Sequence, residues 1–328
     1  MQAIVLLSGG LDSRLAVALM LRQNIEVHGL HFTSVFAPGT CGSEDLGEAR
    51  RAADDFGIPL TVEDITDDLI ELVKDAPHGL GSGMNPCIDC RIMQLRRARE
   101  LMPEVGAKFL VTGEVLGQRP MSQRKGAMGV IERAAGVEGL VVRPLCAQVM
   151  EPTIPEKEGW VDREKLKGFT GRHRKPQMDL AEELGITDYP NPAGGCRLTE
   201  PGFARRVEDL RDNGELSRKN VLLLEVGRHF RLSVAAKLVV GREHDENLRI
   251  EELAGENDYL LVARNYPGPT TLGRGEFDED LLQVAARITA RYGKGKTEPE
   301  VLVDVCRART AEMLLPPAED AELEKSRL

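Results

Sequence analysis

Ala3-Ile4-Val5-Leu6-Leu7-Ser8-Gly9-Gly10-Leu11-Asp12-Ser13 is the stretch that decides the fold. Its first five residues are all apolar, as in a strand buried on both faces. After the glycines, Leu15, Ala16, Ala18 and Leu19 recur at helical spacing over residues 13–22. A glycine turn between a strand and a helix lets backbone N–H groups face an anion, and the helix dipole adds to the attraction. Gly9 and Gly10 permit close approach, while Ser8 and Ser13 add hydroxyl donors. The Lys-Ser/Thr ending of a Walker loop is absent. An ordinary strand–turn–helix with Asp12 as N-cap is the plain alternative, but the whole hexapeptide after a first strand favours a phosphate site.

Outward from this loop, strands and helices alternate. Strand-like runs fall at 26–32, 60–62 and 109–113, and helical patterns at 44–56, 67–74 and 90–101, the last strongly basic. That alternation predicts an α/β fold: a Rossmann-like parallel sheet with helices on both faces. Residues 189–195, Tyr-Pro-Asn-Pro-Ala-Gly-Gly, cannot form a regular element. Beyond about Leu216 short strands are expected at 221–224, 237–241 and 259–264, then a helix over 278–292 and a strand at 300–305. The expected division is a phosphate-loop domain, 1–212, and a small C-terminal α/β domain, 213–328, with a frayed acidic end.

The 328 residues carry a net charge of −10, which argues against a general nucleic-acid coat. The charge is uneven: residues 81–180 hold 17 basic and 12 acidic side chains, while residues 1–80 hold 5 and 13. An acidic protein with a basic middle can still hold a polyanion there. No run of about 18 apolar residues is present, so no span of a membrane is expected. The sequence opens on a strand-like run without a signal-peptide pattern, and a cytoplasmic location is expected.

Six cysteines stand at 41, 87, 90, 146, 196 and 306. Cys87 and Cys90 form a Cys-x-x-Cys at a loop-to-helix junction, a spacing that binds one metal or one face of a cluster. The helix N-terminus and Arg91 favour thiolate. Cys196 is the best third thiol, and three thiolates suit a [4Fe-4S] cluster with one open iron. A zinc site completed by His78 or His173, and a persulfide or disulfide relay, are the alternatives.

The loop Ser8–Ser13 resembles the PP-loop of the ATP pyrophosphatases. Met84-Asn85-Pro86-Cys87-Ile88-Asp89-Cys90 resembles the Asn-Pro-Cys-x-x-Cys motif of tRNA 2-thiouridylases. The segment 111–123, with Thr112-Gly113-Glu114 and Leu116-Gly117-Gln118, is similar to that of tRNA 4-thiouridine synthases, and 191–196 matches their downstream cysteine. The resemblance covers about residues 1–210. It implies that Ser8, Gly9, Gly10 and Ser13 hold the pyrophosphate of ATP, and that Asp12 positions Mg²⁺ or caps the helix. It implies further that Thr112, Gly113 and Gln118 line the nucleotide pocket, and that Cys87, Cys90 and Cys196 ligate a [4Fe-4S] cluster. The expected activity is ATP-dependent tRNA thiolation: a uridine carbonyl oxygen is adenylated, pyrophosphate leaves, and sulfur transfer yields thiouridine and AMP. The expected partners are tRNA and a sulfide or persulfide donor, with a homodimer one option. The C-terminal region resembles the small RNA-binding domain of NFACT proteins. The rival readings are sulfuration or amidation of a small metabolite, and a non-catalytic RNA-binding protein.

Further basic residues are candidates for phosphate contacts: Arg91, Arg96, Arg97 and Arg99 on one helix, then Arg172, His173, Arg174 and Lys175, with Arg205 and Arg206 beyond. Arg14 could reach the phosphates or lie on the surface. Cys146 and Cys306 read as core, Cys41 as incidental, and His28 and His31 as structural.

Overall fold

The computed structural model describes residues 1–37, 47–190 and 195–328. The helical pattern expected from 44 and the turn at 189–195 fall partly outside these residues, as does Cys41. The chain forms two compact units, Met1–Thr199 and Glu200–Leu328.

The first unit runs β1 (Gln2–Leu6), α1 (Leu11–Leu21), β2 (Glu26–Thr33), α2 (Gly47–Phe56), β3 (Leu60–Asp64), α3 (Thr66–Lys74), α4 (Cys87–Val105), β4 (Phe109–Thr112), α5 (Lys125–Ala135), β5 (Val141–Val142), α6 (Ile154–Lys157) and α7 (Lys175–Leu184). The sheet order is β3-β2-β1-β4-β5, with every pairing parallel. The expected parallel sheet with helices on both faces is therefore present. Alternate residues of β1 feed opposite cores, as the two-residue period demands. Ala3 and Val5 pack with α1 residues such as Leu15, whereas Ile4 and Leu6 pack with Ile92 and Leu95 of α4. Phe109 and Leu110 divide in the same way on β4. Burial of each such side chain is worth about 1.5–3 kcal/mol, so a charge at Val5 would destroy the sheet centre.

Strand order also places the site. The chain builds outward from β1 to β3, then returns to lay β4 on the other side of β1. The carboxyl ends of β1 and β4 therefore flank the point where strand order reverses, which is where open parallel sheets bind ligands. The phosphate loop leaves β1 there, and Gly113 leaves β4.

The second unit contains α8 (Pro201–Asp212), α9 (Arg218–Leu223), β6 (Arg228–Ser233), β7 (Ala236–Val240), α10 (His244–Leu253), β8 (Tyr259–Ala263), β9 (Thr271–Gly275), α11 (Glu279–Arg291), β10 (Val301–Cys306), β11 (Thr310–Leu315) and α12 (Asp320–Ser326). Its sheet, β11-β10-β8-β9-β7-β6, is antiparallel throughout. Helix α8 belongs to this unit although the sequence suggested a boundary after 212: Asp209 on α8 takes a bidentate ion pair from Arg231 of β6.

Two local expectations are corrected. Residues 221–224 are not a strand; Val221 and Leu223 are buried residues of α9, whose N-cap Ser217 accepts the Asn220 N–H. The acidic end is not frayed but forms α12, with a capping box between Glu319 and Glu322. Arg287 and Arg291 of α11 hold Glu322 and Asp320 of this helix, each at 2.7 Å.

Candidate active site

Loop geometry follows from its glycines. Gly9 has φ +78°, and a Cβ there would lie 2.3 Å from the Glu48 carbonyl carbon, so the turn is pressed against the start of α2. Gly10 is the extended N-cap of α1, and its carbonyl accepts the N–H groups of Ser13 and Arg14 and the Ser13 hydroxyl. Ser8 Oγ lies 3.2 Å from Ser13 Oγ. The hydroxyls and the first turn of α1 border a cavity of about 220 Å³ that Thr112 and Gly113 also line. Gly113 is needed because β4 runs hard against α1: a Cβ would meet the Asp12 carbonyl oxygen at 2.5 Å. Arg14 turns away from this cavity. It is 2% exposed, donates to Gly9 O and pairs with Asp55 at 2.6 Å, bracing the loop from behind.

Asp12 stands at the junction of two cavities, lining both. Its Oδ2 accepts from Gln118 Nε2 at 3.0 Å and from Arg174 Nη2 at 3.4 Å. Its Oδ1 is buried without a hydrogen-bond partner, as are Gln118 Oε1 and Arg174 Nε. An unpartnered carboxylate oxygen beside a phosphate loop is a hard donor of the kind Mg²⁺ selects. Gln118 lines the second cavity rather than the first, and touches the first only through Asp12.

Behind the first cavity lies a buried ion network. Glu114, 3% exposed, accepts from Thr112 Oγ1 at 3.1 Å and from Arg143 Nε at 3.0 Å, and pairs with Arg91 at 3.2 Å. Burial would raise its pKa, but Arg91 and Arg143 outweigh burial and hold it below the ordinary value. Arg91 is thereby fixed where it lines both cavities, with Gln94 and Arg119.

The second cavity, about 1080 Å³, is bordered by Cys87, Cys90 and Cys196. Cys87 opens α4, Cys90 follows on its first turn, and Cys196 comes from the segment leading to Leu198. Asn85 Nδ2 donates to Cys87 Sγ at 3.1 Å while its Oδ1 accepts the Gly83 N–H, so the residue before the Pro-Cys pair shapes the loop and orients the thiol. Burial pushes the Cys90 thiol up to about 12; Arg91 opposes this, while Cys196 and Cys87 add to it. Both other thiols thus act on the Cys90 sulfur. No three of the described His, Cys, Asp and Glu residues are arranged to hold a single metal ion. A cubane carries each thiolate on a different iron, so three thiols spread around one cavity fit its donor set. The same wall carries Arg91, Arg119, Arg124, Arg172 and Arg174 against one acid, Asp12.

Two family models match the chain. Residues 1–153 match "Thiamine biosynthesis protein (ThiI)", and residues 227–326 match "NFACT protein RNA binding domain". The tRNA-specific 2-thiouridylase MnmA of Mycolicibacterium gilvum (strain PYR-GCK) is 38% identical over 106 residues, 27% of this chain and 28% of the relative. The MnmA of Xanthobacter autotrophicus (strain ATCC BAA-1158 / Py2) is 27% identical over 225 residues, 64% of this chain and 54% of the relative. Over the first unit the chain is similar to PP-loop tRNA sulfurtransferases. It spans 28% of the length of the first of these curated relatives and 54% of the second. A solved 4-thiouridine synthetase–RNA complex with bound ATP is 24% identical, covers 68% of this chain and 52% of its own, and superposes with a TM-score of 0.41.

The basic candidates sort clearly by what they touch. Arg91, Arg172 and Arg174 reach the thiol cavity. Arg96 and Arg99 instead donate to the Ala134 and Ala135 carbonyls that end α5, and Arg97 pairs with Asp68. His173 is exposed, Lys175 pairs with Asp179, and Arg205 and Arg206 lie on α8 of the second unit. His78 Nδ1 is 2.7 Å from Asp89 Oδ1. Cys146 is core, donates to the Glu114 carbonyl, and is pushed up to about 11 by burial; Cys306 is only half-buried. His28 bonds Thr61, but His31 lines the first cavity with its Nδ1 donating to Leu7 O. Sequence reasoning missed His31, Gln94, Arg119 and Gln123 as lining residues. Only His31 carried a signal, its place at the carboxyl end of β2 next to the phosphate loop.

Proposed function

We propose that this protein is a cytoplasmic ATP-dependent tRNA uridine sulfurtransferase. One observation carries the reading: the phosphate-loop cavity and the three-thiol cavity share Asp12, Arg91, Gln94 and Arg119 as walls. Activation of an oxygen and its replacement by sulfur need such adjacency, because the activated base must meet the sulfur before water does.

The loop amides with Ser8 and Ser13 hold the β- and γ-phosphates, and Asp12 Oδ1 would hold Mg²⁺, which would neutralise the departing pyrophosphate. A uridine carbonyl oxygen attacks the α-phosphorus, pyrophosphate leaves, and the oxygen becomes part of a good leaving group. Arg91, held by Glu114, and Arg119 face the charge that develops between the cavities. A sulfur nucleophile then bonds to the base carbon and AMP departs with the original oxygen. A [4Fe-4S] cluster on Cys87, Cys90 and Cys196 would supply an iron with an open position to hold sulfide. Asn85 fixes one of these thiols, and the five cavity arginines suit a folded, negatively charged acceptor whose base is turned out of its stack.

The test is nucleoside mass analysis of tRNA after incubation with Mg-ATP and sulfide under anaerobic conditions. Cys87→Ala, Cys90→Ala and Cys196→Ala are each expected to abolish thiouridine. Full thiolation in any one of them sinks the three-thiol reading. Iron and sulfide counts near four per chain support the cluster, and stoichiometric zinc refutes it.

A further inference from the structure

The second unit has a cavity of its own, about 520 Å³, at the end of α11. That volume falls in the usual range of small-ligand sites. Its lining draws cations from separate elements: Arg291 from the last turn of α11, Lys294 and Lys296 from the loop after it, and Arg327 from the chain end. Asp320 is the one acid in the lining, and it is taken up by Arg291 at 2.7 Å. Lys294 and Lys296 make no ion pair among the described residues. This concentration is local, since residues 200–328 hold 20 basic and 25 acidic side chains.

The cationic loop is built rather than loose. Tyr292-Gly293-Lys294-Gly295-Lys296 is pinned to the β8–β9 connection: Lys294 N–H donates to Pro267 O at 2.8 Å. Glycine is required at 295, where a Cβ would meet the Tyr266 ring at 2.7 Å, while Gly293 packs at ordinary contact distance against Gly268. Arg327 is fixed by an antiparallel bridge to Phe230. Arg228 stacks on Tyr292 with its guanidinium 4.6 Å from the ring centroid, adding a further cation beside the cavity. Cations on pinned backbone lose little entropy when they bind, which suits repeated, evenly spaced charges.

We propose that this cavity binds the phosphodiester backbone of an RNA strand, with Lys294 and Lys296 on successive phosphates. The inference rests on the tRNA reading above and adds a docking site outside the catalytic unit. The match of residues 227–326 to an RNA-binding family agrees with the ligand class and assigns none of these residues.

The experiment titrates the full chain into end-labelled total tRNA by fluorescence anisotropy across a salt series. The variants are Lys294→Ala/Lys296→Ala and a charge-matched control, Lys219→Ala/Arg309→Ala, outside the cavity. Two lost phosphate contacts lower the slope of log K against log salt by about 1.4–1.8 and weaken binding roughly tenfold near 0.1 M salt. ATP-dependent pyrophosphate release at saturating tRNA stays unchanged. Wild-type affinity and slope in the Lys294/Lys296 variant overturn the site, as does an equal loss in the control. Competition by millimolar inorganic phosphate as strong as by unlabelled RNA would mark a small-anion site and likewise overturn it. If the wild type binds no tRNA, the enzyme reading falls with it; if only the lysine variant behaves as wild type, the docking site alone falls.

Discussion

Replacement of Gly113 by alanine isolates the contact between β4 and the phosphate loop. The added methyl would sit 2.5 Å from the Asp12 carbonyl oxygen, 2.6 Å from its carbon and 2.7 Å from the Ser13 nitrogen. All three are backbone atoms at the first turn of α1, so no side chain can swing aside. Ordinary contact begins at 3.4 Å, so the turn must withdraw by about 0.9 Å. A displacement near 1 Å of groups that position reacting atoms costs about 100-fold in rate, or about 2.7 kcal/mol of barrier. The assay is Mg-ATP-dependent pyrophosphate release with tRNA as acceptor, beside a thermal melt. Gly126→Ala is the control: nothing lies within 4 Å of its Cβ, and alanine in α5 stabilises by about 0.4–1 kcal/mol. Gly113→Ala with a near-native melt and pyrophosphate release within threefold of wild type would refute the claim that this approach sets the loop.

Three further outcomes follow from the same geometry. Glu114→Gln leaves Arg143 with Glu132 alone in a buried setting; a loss of about 3 kcal/mol is expected, read as a melting shift of roughly 6–12 °C for the first unit. Because the folded pKa of Glu114 is depressed, its contribution is complete above the ordinary value of 4.5 and drains as pH falls through the lower folded value; urea midpoints at pH 7 and pH 3.5 should converge between wild type and variant. His229 is buried and lowered from 6.5 to about 3, first by burial and then by Arg206. Its neutral form is the folded one, so stability is present above pH 6.5 and lost as pH falls toward 3, by about 2 kcal/mol at pH 5; His229→Gln should flatten that urea-midpoint profile, and an unchanged slope would remove His229 as its source. Asn85→Ala deletes the donor to Cys87 Sγ and should lower thiolation about 10- to 100-fold, as loss of outer-shell support does, with normal thiolation arguing that the thiol needs no such partner.

The strand–glycine–helix signal was legible because every part of it is local. The five apolar residues, the two glycines and the helical spacing all lie within twenty residues, and the sheet followed from their repetition. What joins the site is not local. Gln118 and Arg174 meet Asp12 across 106 and 162 positions, and no periodicity announces such a pairing. Arg96 and Arg99 looked like phosphate ligands because charge is visible in a sequence, whereas the bare carbonyls at the end of α5 that they satisfy are not. The run 221–224 misled for a related reason: a short apolar segment fits strand or helix equally, and the Ser217 cap decides it.

The cavity arginines have a consequence for selectivity when set against the rest of the chain. The first unit, residues 1–199, holds 28 acidic against 23 basic side chains yet gathers five guanidiniums around its thiols, so a polyanion is attracted to that cavity more than to the rest of the unit. Bystander nucleic acid gains little from the remainder of that unit. Only a strand whose shape lets it reach past that field recovers the charge neutralisation inside. On the proposed tRNA reading, the first unit's surface acts as a filter: RNA is discriminated by what it can insert before any base is read.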